Sequence, residues 1–295
     1  MSKILLIGST GQVGQELQKT LKPLGELTFL TRQQLDLTQA EDIKKTISSH
    51  QPDIIVNAAA YTAVDKAETD SNSAMTINAT APSVMAQAAK EIAAKLVHIS
   101  TDYVFDGKNY TPYKEDDVTN PLGVYGESKL LGEEGVIANC DRFIILRTAW
   151  VYGSRGHGNF VKTMLRLGAS REELKVVADQ IGSPTWSYEI ASAIARLISS
   201  ENDVDFGIYH FSNSGVASWY DLAVAIFEEA AQLGFPLKIK TVYPVTTADY
   251  PTPAQRPNYS VLSKGKYTKA LGLYPPHWRN SLKEMLQEWL SMNNE

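Results

Sequence analysis

The chain has 295 residues, of which 43% are hydrophobic and 21% charged, and a formal net charge of −5. That length accommodates one large α/β domain plus a smaller one, with the composition of a soluble globular protein. The acidic balance argues against nucleic acid or an anionic membrane as the main partner, and the single cysteine, Cys140, excludes an intrachain disulfide or a multi-cysteine metal site.

The first predicted strand, Lys3 to Ile7, is a near-continuous apolar run, as expected for a parallel strand buried on both faces. It is too short for a signal h-region and leads into a glycine loop, and no apolar run is long enough to span a bilayer, so a cytoplasmic location is expected. Gly8-Ser9-Thr10-Gly11-Gln12-Val13-Gly14 follows, and then a helical pattern through Leu17 and Leu21. Strand, glycine loop and helix in that order point to dinucleotide binding. Glycines let the backbone approach a pyrophosphate, and the helix N-terminus offers oriented N–H groups and partial positive charge. A plain βα turn seldom needs three glycines in this register.

The second strand, Leu27 to Leu30, ends in Thr31-Arg32, without the acidic residue that holds a ribose 2′-OH in NAD-preferring sites. Arg32 is instead suited to a 2′-phosphate, so NADPH is the expected cofactor, with NADH as the alternative. Asp36 and Leu37 are placed beside the adenine. The third strand, Asp53 to Asn57, runs into Ala58-Ala59-Ala60-Tyr61-Thr62, small residues that leave room for a ligand at the carboxyl edge of a sheet. Asn78 and an alanine-rich helix to Lys90 continue the alternation.

The fourth strand, Lys95 to Ile99, ends in Ser100-Thr101-Asp102-Tyr103. A polar segment, Asp106 to Gly123, reads as a surface loop, and Tyr125 to Ala138 as a helix. Tyr125 and Lys129 are four apart and so share a helix face. A free phenol, with a pKa of about 10, is a poor acid–base group at neutral pH, and a nearby cation favours its phenolate. Thr101 supplies a hydroxyl at a strand end that can bond the oxygen on which such a tyrosine acts. Tyr125, Lys129 and Thr101 are therefore the candidate catalytic residues, and the reaction they suit is carbonyl reduction or alcohol oxidation. Cys140 reads as an ordinary buried thiol before the strand Phe143 to Leu146.

After Arg147-Thr148-Ala149-Trp150-Val151-Tyr152-Gly153 the βα alternation breaks. Ser154 to Asn159 is a glycine-rich segment expected to be mobile. Val176-Val177 leads to Asp179-Gln180-Ile181-Gly182-Ser183-Pro184-Thr185, and an amphipathic helix follows through Ile198. Gly207 to Ser212 reads as a strand, Ser218 as the cap of a helix, Pro244 to Pro257 as a long loop covering a site, and the C-terminus as a helix with Leu282, Met285, Leu286, Trp289 and Leu290 on one face. The expected architecture is α/β: a Rossmann-type doubly wound parallel sheet over residues 1–150, and a smaller mixed α/β substrate-binding domain over 151–295, with residues 186–213 able to return to the first domain.

These motifs resemble the extended short-chain dehydrogenase/reductase superfamily, whose glycine spacing Gly8/Gly11/Gly14 shares. Within it, the longer stretches resemble the dTDP-4-dehydrorhamnose reductase family: Gly11 to Gly14, Asn57 to Asp65, Ser100 to Phe105, Arg147 to Gly153, Asp179 to Thr185, and Arg256-Pro257-Asn258-Tyr259-Ser260. The resemblance implies cofactor contacts from Gly11, Gln12, Val13, Asp36, Leu37, Ala60, Tyr61, Thr62, Tyr125 and Lys129, joining Gly8, Gly14 and Arg32. It implies substrate contacts from Thr101, Asp102 and Trp150, the indole forming a flat wall for a deoxysugar ring. It implies reduction of the C4 ketone of a nucleotide sugar, in nucleotide-sugar and polysaccharide biosynthesis.

Some members of that family dimerise through magnesium. Here Glu16 and Glu189 occupy the matching positions, while Thr185-Trp186-Ser187-Tyr188 adds no further carboxylate. Two carboxylates are a thin ligand set for a hard cation, so no metal is expected, and monomer and homodimer both stay open. Tyr103 stands where a 4,6-dehydratase would carry a second acid, which leaves simple reduction. The alternatives are a catalytically silent NADP-binding regulatory subunit and a reductase of a different 4-keto-sugar nucleotide.

Overall fold

The computed structural model describes residues 1–156, 158–199 and 204–293. Six short apolar segments pair side by side: β1 (Ser2–Ile7), β2 (Gly25–Leu30), β3 (Ile54–Asn57), β4 (Lys95–Thr101), β5 (Phe143–Thr148) and β6 (Gly207–His210). All pairs are parallel, in the order β6-β5-β4-β3-β1-β2. The longer helices are α1 (Gln12–Leu21), α2 (Ala40–His50), α3 (Ala81–Glu91), α4 (Val124–Asn139), α5 (Phe160–Ser170), α6 (Ser187–Ile198), α7 (Trp219–Gln232) and α8 (Trp278–Asn293).

The run of apolar residues in β1 is explained by its two covered faces. Successive side chains of a strand point to opposite sides. Ile4 and Leu6 pack with Leu17 and Leu21 of α1 and Ile190, Ile194 and Leu197 of α6. Leu5 and Ile7 pack with Ile43 and Ile47 of α2, Met85 and Ala89 of α3 and Val136 of α4. Each fully buried Ile or Leu contributes roughly 1.5–3 kcal/mol of transfer free energy. The chain leaves β1 for β2 on one side and then returns to β3 on the other, so a topological switch point opens between β1 and β3 at their carboxyl ends, where ligands bind in sheets of this type.

A separate apolar cluster forms from α5, α7 and α8, with Val161, Leu165, Leu222, Ile226, Leu282 and Leu286 fully buried. Beneath it, Glu173–Val177 pairs in parallel with Thr241–Val245. The start of the segment read from sequence as a loop from Pro244 is thus part of a strand. Pro244 is tolerated because, among the described residues, this sheet has two strands, so its missing N–H faces no further strand. The strand expected from Gly207 to Ser212 ends earlier, at His210. Helix α6 and β6 lie with the first sheet, and 200–203 between them fall outside the described residues. Among the described residues, no helix is long and apolar enough to cross a membrane.

Candidate active site

A cleft of about 680 Å³ opens at the carboxyl ends of the strands, within the size range of small-molecule sites. One end is made by the loop between β1 and α1. Gly8 has φ +85°, a left-handed conformation that suits glycine, and a Cβ there would come within 2.5 Å of the Ala59 nitrogen. A Cβ at Gly14 would lie 2.1 Å from the Gly8 carbonyl oxygen, so Gly14 lets α1 close onto the loop from behind. Gly11 differs: a Cβ there would meet only the Gly8 carbonyl, at 3.6 Å, and would project into the cleft. Bare backbone at the N-terminus of α1, facing open space, fits a pyrophosphate.

Gly8, Gly11, Gln12, Val13, Arg32, Asp36, Leu37, Ala60, Thr62, Thr101, Asp102, Tyr125, Lys129 and Trp150 all line this one cleft. Arg32 is exposed at its mouth beside Thr31 and Asp36. The Asp36 carboxyl is held below its ordinary value by hydrogen bonds from Thr38 and by Arg32. Gly14 and Tyr61 stand behind the wall. The Tyr61 hydroxyl donates to Asp70 (3.1 Å), while its backbone is bracketed by Asn78, which accepts from the Tyr61 N–H at 2.8 Å and donates to its carbonyl at 3.0 Å. Asn78 also donates to Ser128 Oγ (3.0 Å), so it ties the Ala60–Thr62 turn to α4.

Helix α4 begins at Gly123 as N-cap, and the Val124 N–H donates to Glu68 Oε1 (3.0 Å), a carboxylate placed favourably at a helix N-terminus. Tyr125 then lies in the first turn, edge-on to Tyr103 with ring centroids 5.4 Å apart. Burial pushes the Tyr125 phenol up to about 12, against the Thr101 hydroxyl that pulls it down. This departs from the sequence-based expectation of a phenol brought down by Lys129. The lysine ammonium instead donates to the Ile99 carbonyl at 2.7 Å and lies 3.2 Å from His98 Nε2. Burial lowers Lys129 to about 8, with Glu133 acting in the opposite sense. A phenol that stays protonated suits a proton donor.

Thr101 Oγ1 donates to Asp102 Oδ1 (3.0 Å) and accepts from the Tyr103 N–H (3.2 Å), so the hydroxyl at the end of β4 has a fixed direction. Burial pushes the Asp102 carboxyl up to about 6, against hydrogen bonds from Ser260 and Thr101. The loop that carries Ser260 is tied down by Arg256, whose Nη2 donates to Asp65 Oδ2 at 2.8 Å.

Trp150 sits at φ +48°, a strained conformation for a bulky side chain of the kind that clusters at functional sites. Its indole stacks on Trp219 with centroids 3.6 Å apart and planes 2° from parallel, and Trp219, Phe160 and Leu222 extend the apolar wall. Sequence reading missed Trp219, Phe160 and His98. The Ser218 capping box marks the turn that places Trp219, but nothing local marks its partner. Asn159 donates to Gln12 Oε1 (2.7 Å), joining the glycine-rich segment expected to be mobile to the β1–α1 loop. His157, within that segment, lies outside the described residues. Glu16 is fully buried, 3.0 Å from Lys19 and 3.4 Å from Arg155, so its carboxylate is committed to cations of the chain itself.

Sheet, glycine loop and cleft are those of a Rossmann-type α/β protein of the short-chain dehydrogenase/reductase kind. The chain belongs to the family described as RmlD substrate binding domain, which it matches over residues 2–291. It is 46% identical over 292 residues to the dTDP-4-dehydrorhamnose reductase of Escherichia coli K12, covering 97% of each chain. It is 44% identical to the spore coat polysaccharide biosynthesis protein SpsK of Bacillus subtilis 168, covering 98% of each. The solved dTDP-4-dehydrorhamnose reductase of Bacillus anthracis in complex with NADP superposes with a TM-score of 0.90 at 38% identity, over 98% of this chain and all of that one.

Proposed function

We propose that this chain is an NADPH-dependent reductase that converts the C4 ketone of dTDP-4-dehydro-L-rhamnose to the alcohol of dTDP-L-rhamnose, for polysaccharide biosynthesis in the cytoplasm. The observation that carries the proposal is the convergence of the bare glycine loop, the Thr101/Tyr125/Lys129 trio and the Trp150/Trp219 wall on one cleft. The relatives' shared activity, over nearly the whole of their lengths, supports the same reading. The partner is a small nucleotide sugar, and the net charge of −5 argues against nucleic acid or an anionic membrane.

Residues 1–150, with 186–213 returning to them and Tyr267 packing into the same core, form the cofactor-binding unit, and the rest of 151–295 is mainly the substrate-binding unit. Gly11, Gln12 and Val13 hold the pyrophosphate, Arg32 the 2′-phosphate, Asp36 and Leu37 the adenosine end, and the Ala60–Thr62 turn the middle of the cofactor. When bound there, NADPH supplies the hydride that reduces the ketone carbon. Tyr125 donates its phenolic proton to the ketone oxygen as negative charge develops on it. Thr101 Oγ1, held in place by the Tyr103 N–H, turns its proton from Asp102 Oδ1 to that oxygen when substrate binds. Lys129, anchored on Ile99, orients the nicotinamide ribose and supports the phenolate that remains. Trp150 packs against the sugar ring and excludes water. The test is loss of NADPH absorbance on adding dTDP-4-dehydro-L-rhamnose, with UDP and GDP counterparts and NADH in parallel. Absence of turnover with every 4-keto-sugar nucleotide would leave the silent NADP-binding subunit in its place.

A further inference from the structure

Behind Lys129, away from the cleft, lies a chain of fully buried polar groups that the reaction scheme does not use. The parallel register of β3 and β4 sets Asn57 directly beside His98. Asn57, His98 and Lys129 are each no more than 1% exposed. The Ala59 N–H donates to Asn57 Oδ1 at 3.1 Å, which fixes the orientation of the amide. Asn57 Nδ2 therefore faces His98 Nδ1 at 3.1 Å and offers it a donor. The opposite ring nitrogen, His98 Nε2, is 3.2 Å from Lys129 Nζ. We infer that His98, held by Asn57, is a positioning residue for the reaction, which aims the Lys129 amine and exchanges imidazole tautomer with each change in that amine's charge.

A neutral imidazole carries one N–H and one lone pair. Burial, with Lys129 as the second cause, holds His98 well below its ordinary value, so the ring is neutral across the working range. With Nδ1 accepting from Asn57, the ring proton is on Nε2 and points at Lys129. Only a neutral amine has a lone pair to receive it. An ammonium has donors alone, so Nε2 must then accept and the ring proton moves to Nδ1, where it opposes the Asn57 amide. The state with ammonium holds one proton more than the state with amine, and that proton is exchanged with solvent. Asn57 thereby favours the neutral amine, while the Ile99 carbonyl accepts from Lys129 in either state.

The titratable groups acting on this amine are His98 from β4 and Glu133 from its own helix, and Glu133 is itself clamped by Arg147 from β5. The charge carried by the residue that orients the ribose, lowered chiefly by burial, is thus coupled to the tautomer of a histidine out of reach of the substrate. The inference rests on the role proposed above for Lys129.

It is tested by titrating the cofactor-free protein with NMR, following histidine ring nitrogens by proton–nitrogen correlation and lysine ε-carbon shifts together. In the wild type, His98 should carry its proton on Nε2 above the Lys129 midpoint, about 8, and on Nδ1 below it. In Lys129→Met it should keep the proton on Nε2 throughout. Asn57→Asp offers Nδ1–H an acceptor and should raise the Lys129 midpoint by on the order of one pH unit, moving the basic limb of kcat/KM with it. A wild-type His98 that holds one tautomer through the Lys129 titration would overturn the inference, and this measurement needs no variant to fold. Near-normal turnover and NADPH affinity in Lys129→Met would instead remove Lys129 from the reaction while leaving the coupling intact, so the two failures are distinct.

Discussion

Lys129 Nζ lies 2.7 Å from the Ile99 carbonyl oxygen, a bond from helix α4 to the strand end beside Thr101 that fixes the cation one helical turn from Tyr125. Such a placement has an energetic cost. Folding lowers the lysine from 10.5 to about 8, so between those values the folded state binds fewer protons than the unfolded one and stability rises with pH. Below pH 8 the full cost applies, on the order of 3 kcal/mol. Lys129→Met should therefore gain most relative to wild type at pH 7, with the difference in urea-unfolding free energy shrinking as the pH rises toward 10.5. A difference constant over that window would contradict a buried charge at this position.

The stacked indoles predict where substrate affinity resides. Trp219→Ala leaves Trp150 without its parallel partner, and aromatic pairs contribute about 0.5–1.5 kcal/mol beyond area burial. With the lost wall added, KM for the sugar nucleotide should rise about tenfold. The Kd for NADPH, read by fluorescence, should stay near wild type.

Arg32 stands exposed at the cleft mouth, where a charge-assisted bond to phosphate is partly screened. Arg32→Ala should weaken NADPH binding about tenfold and leave NADH binding unchanged. Equal losses for both cofactors in a calorimetric titration would remove Arg32 from the 2′-phosphate.

Arg147 and Glu133 form a buried bidentate pair, with Nη2 to Oε2 at 2.6 Å and Nε to Oε1 at 2.9 Å, both residues 3% exposed or less. Glu133→Gln leaves the guanidinium without a counter-charge and should lower unfolding free energy by about 3–5 kcal/mol. The same change removes the group that holds Lys129 up, so the lysine should titrate lower still. Both effects are read from one variant, by urea unfolding and by lysine NMR.

What was legible in the sequence is what lies close along the chain. The glycines at 8, 11 and 14 are one loop, and Tyr125 and Lys129 are one turn of one helix, so spacing alone reports their geometry. Thr101 and Asp102 were legible as a strand end. Trp219 was not, because its partner Trp150 is brought to it by the packing of α7. His98 was not, because it sits inside an apolar run, and only strand register brings Asn57 beside it. The pull of Lys129 on the Tyr125 phenol was overread for a related reason: helix spacing puts the lysine on the right face but does not say where its ammonium ends. Pro244 read as loop because proline marks turns, whereas an edge strand accommodates it.

The Tyr125 hydroxyl supplies the proton on which the reduction depends. Tyr125→Phe should retain NADPH binding within about twofold and lose about 100-fold or more in kcat for reduction of dTDP-4-dehydro-L-rhamnose, the usual scale for a general acid. Turnover by this variant near the wild-type rate, with the same cofactor and sugar, would contradict that role.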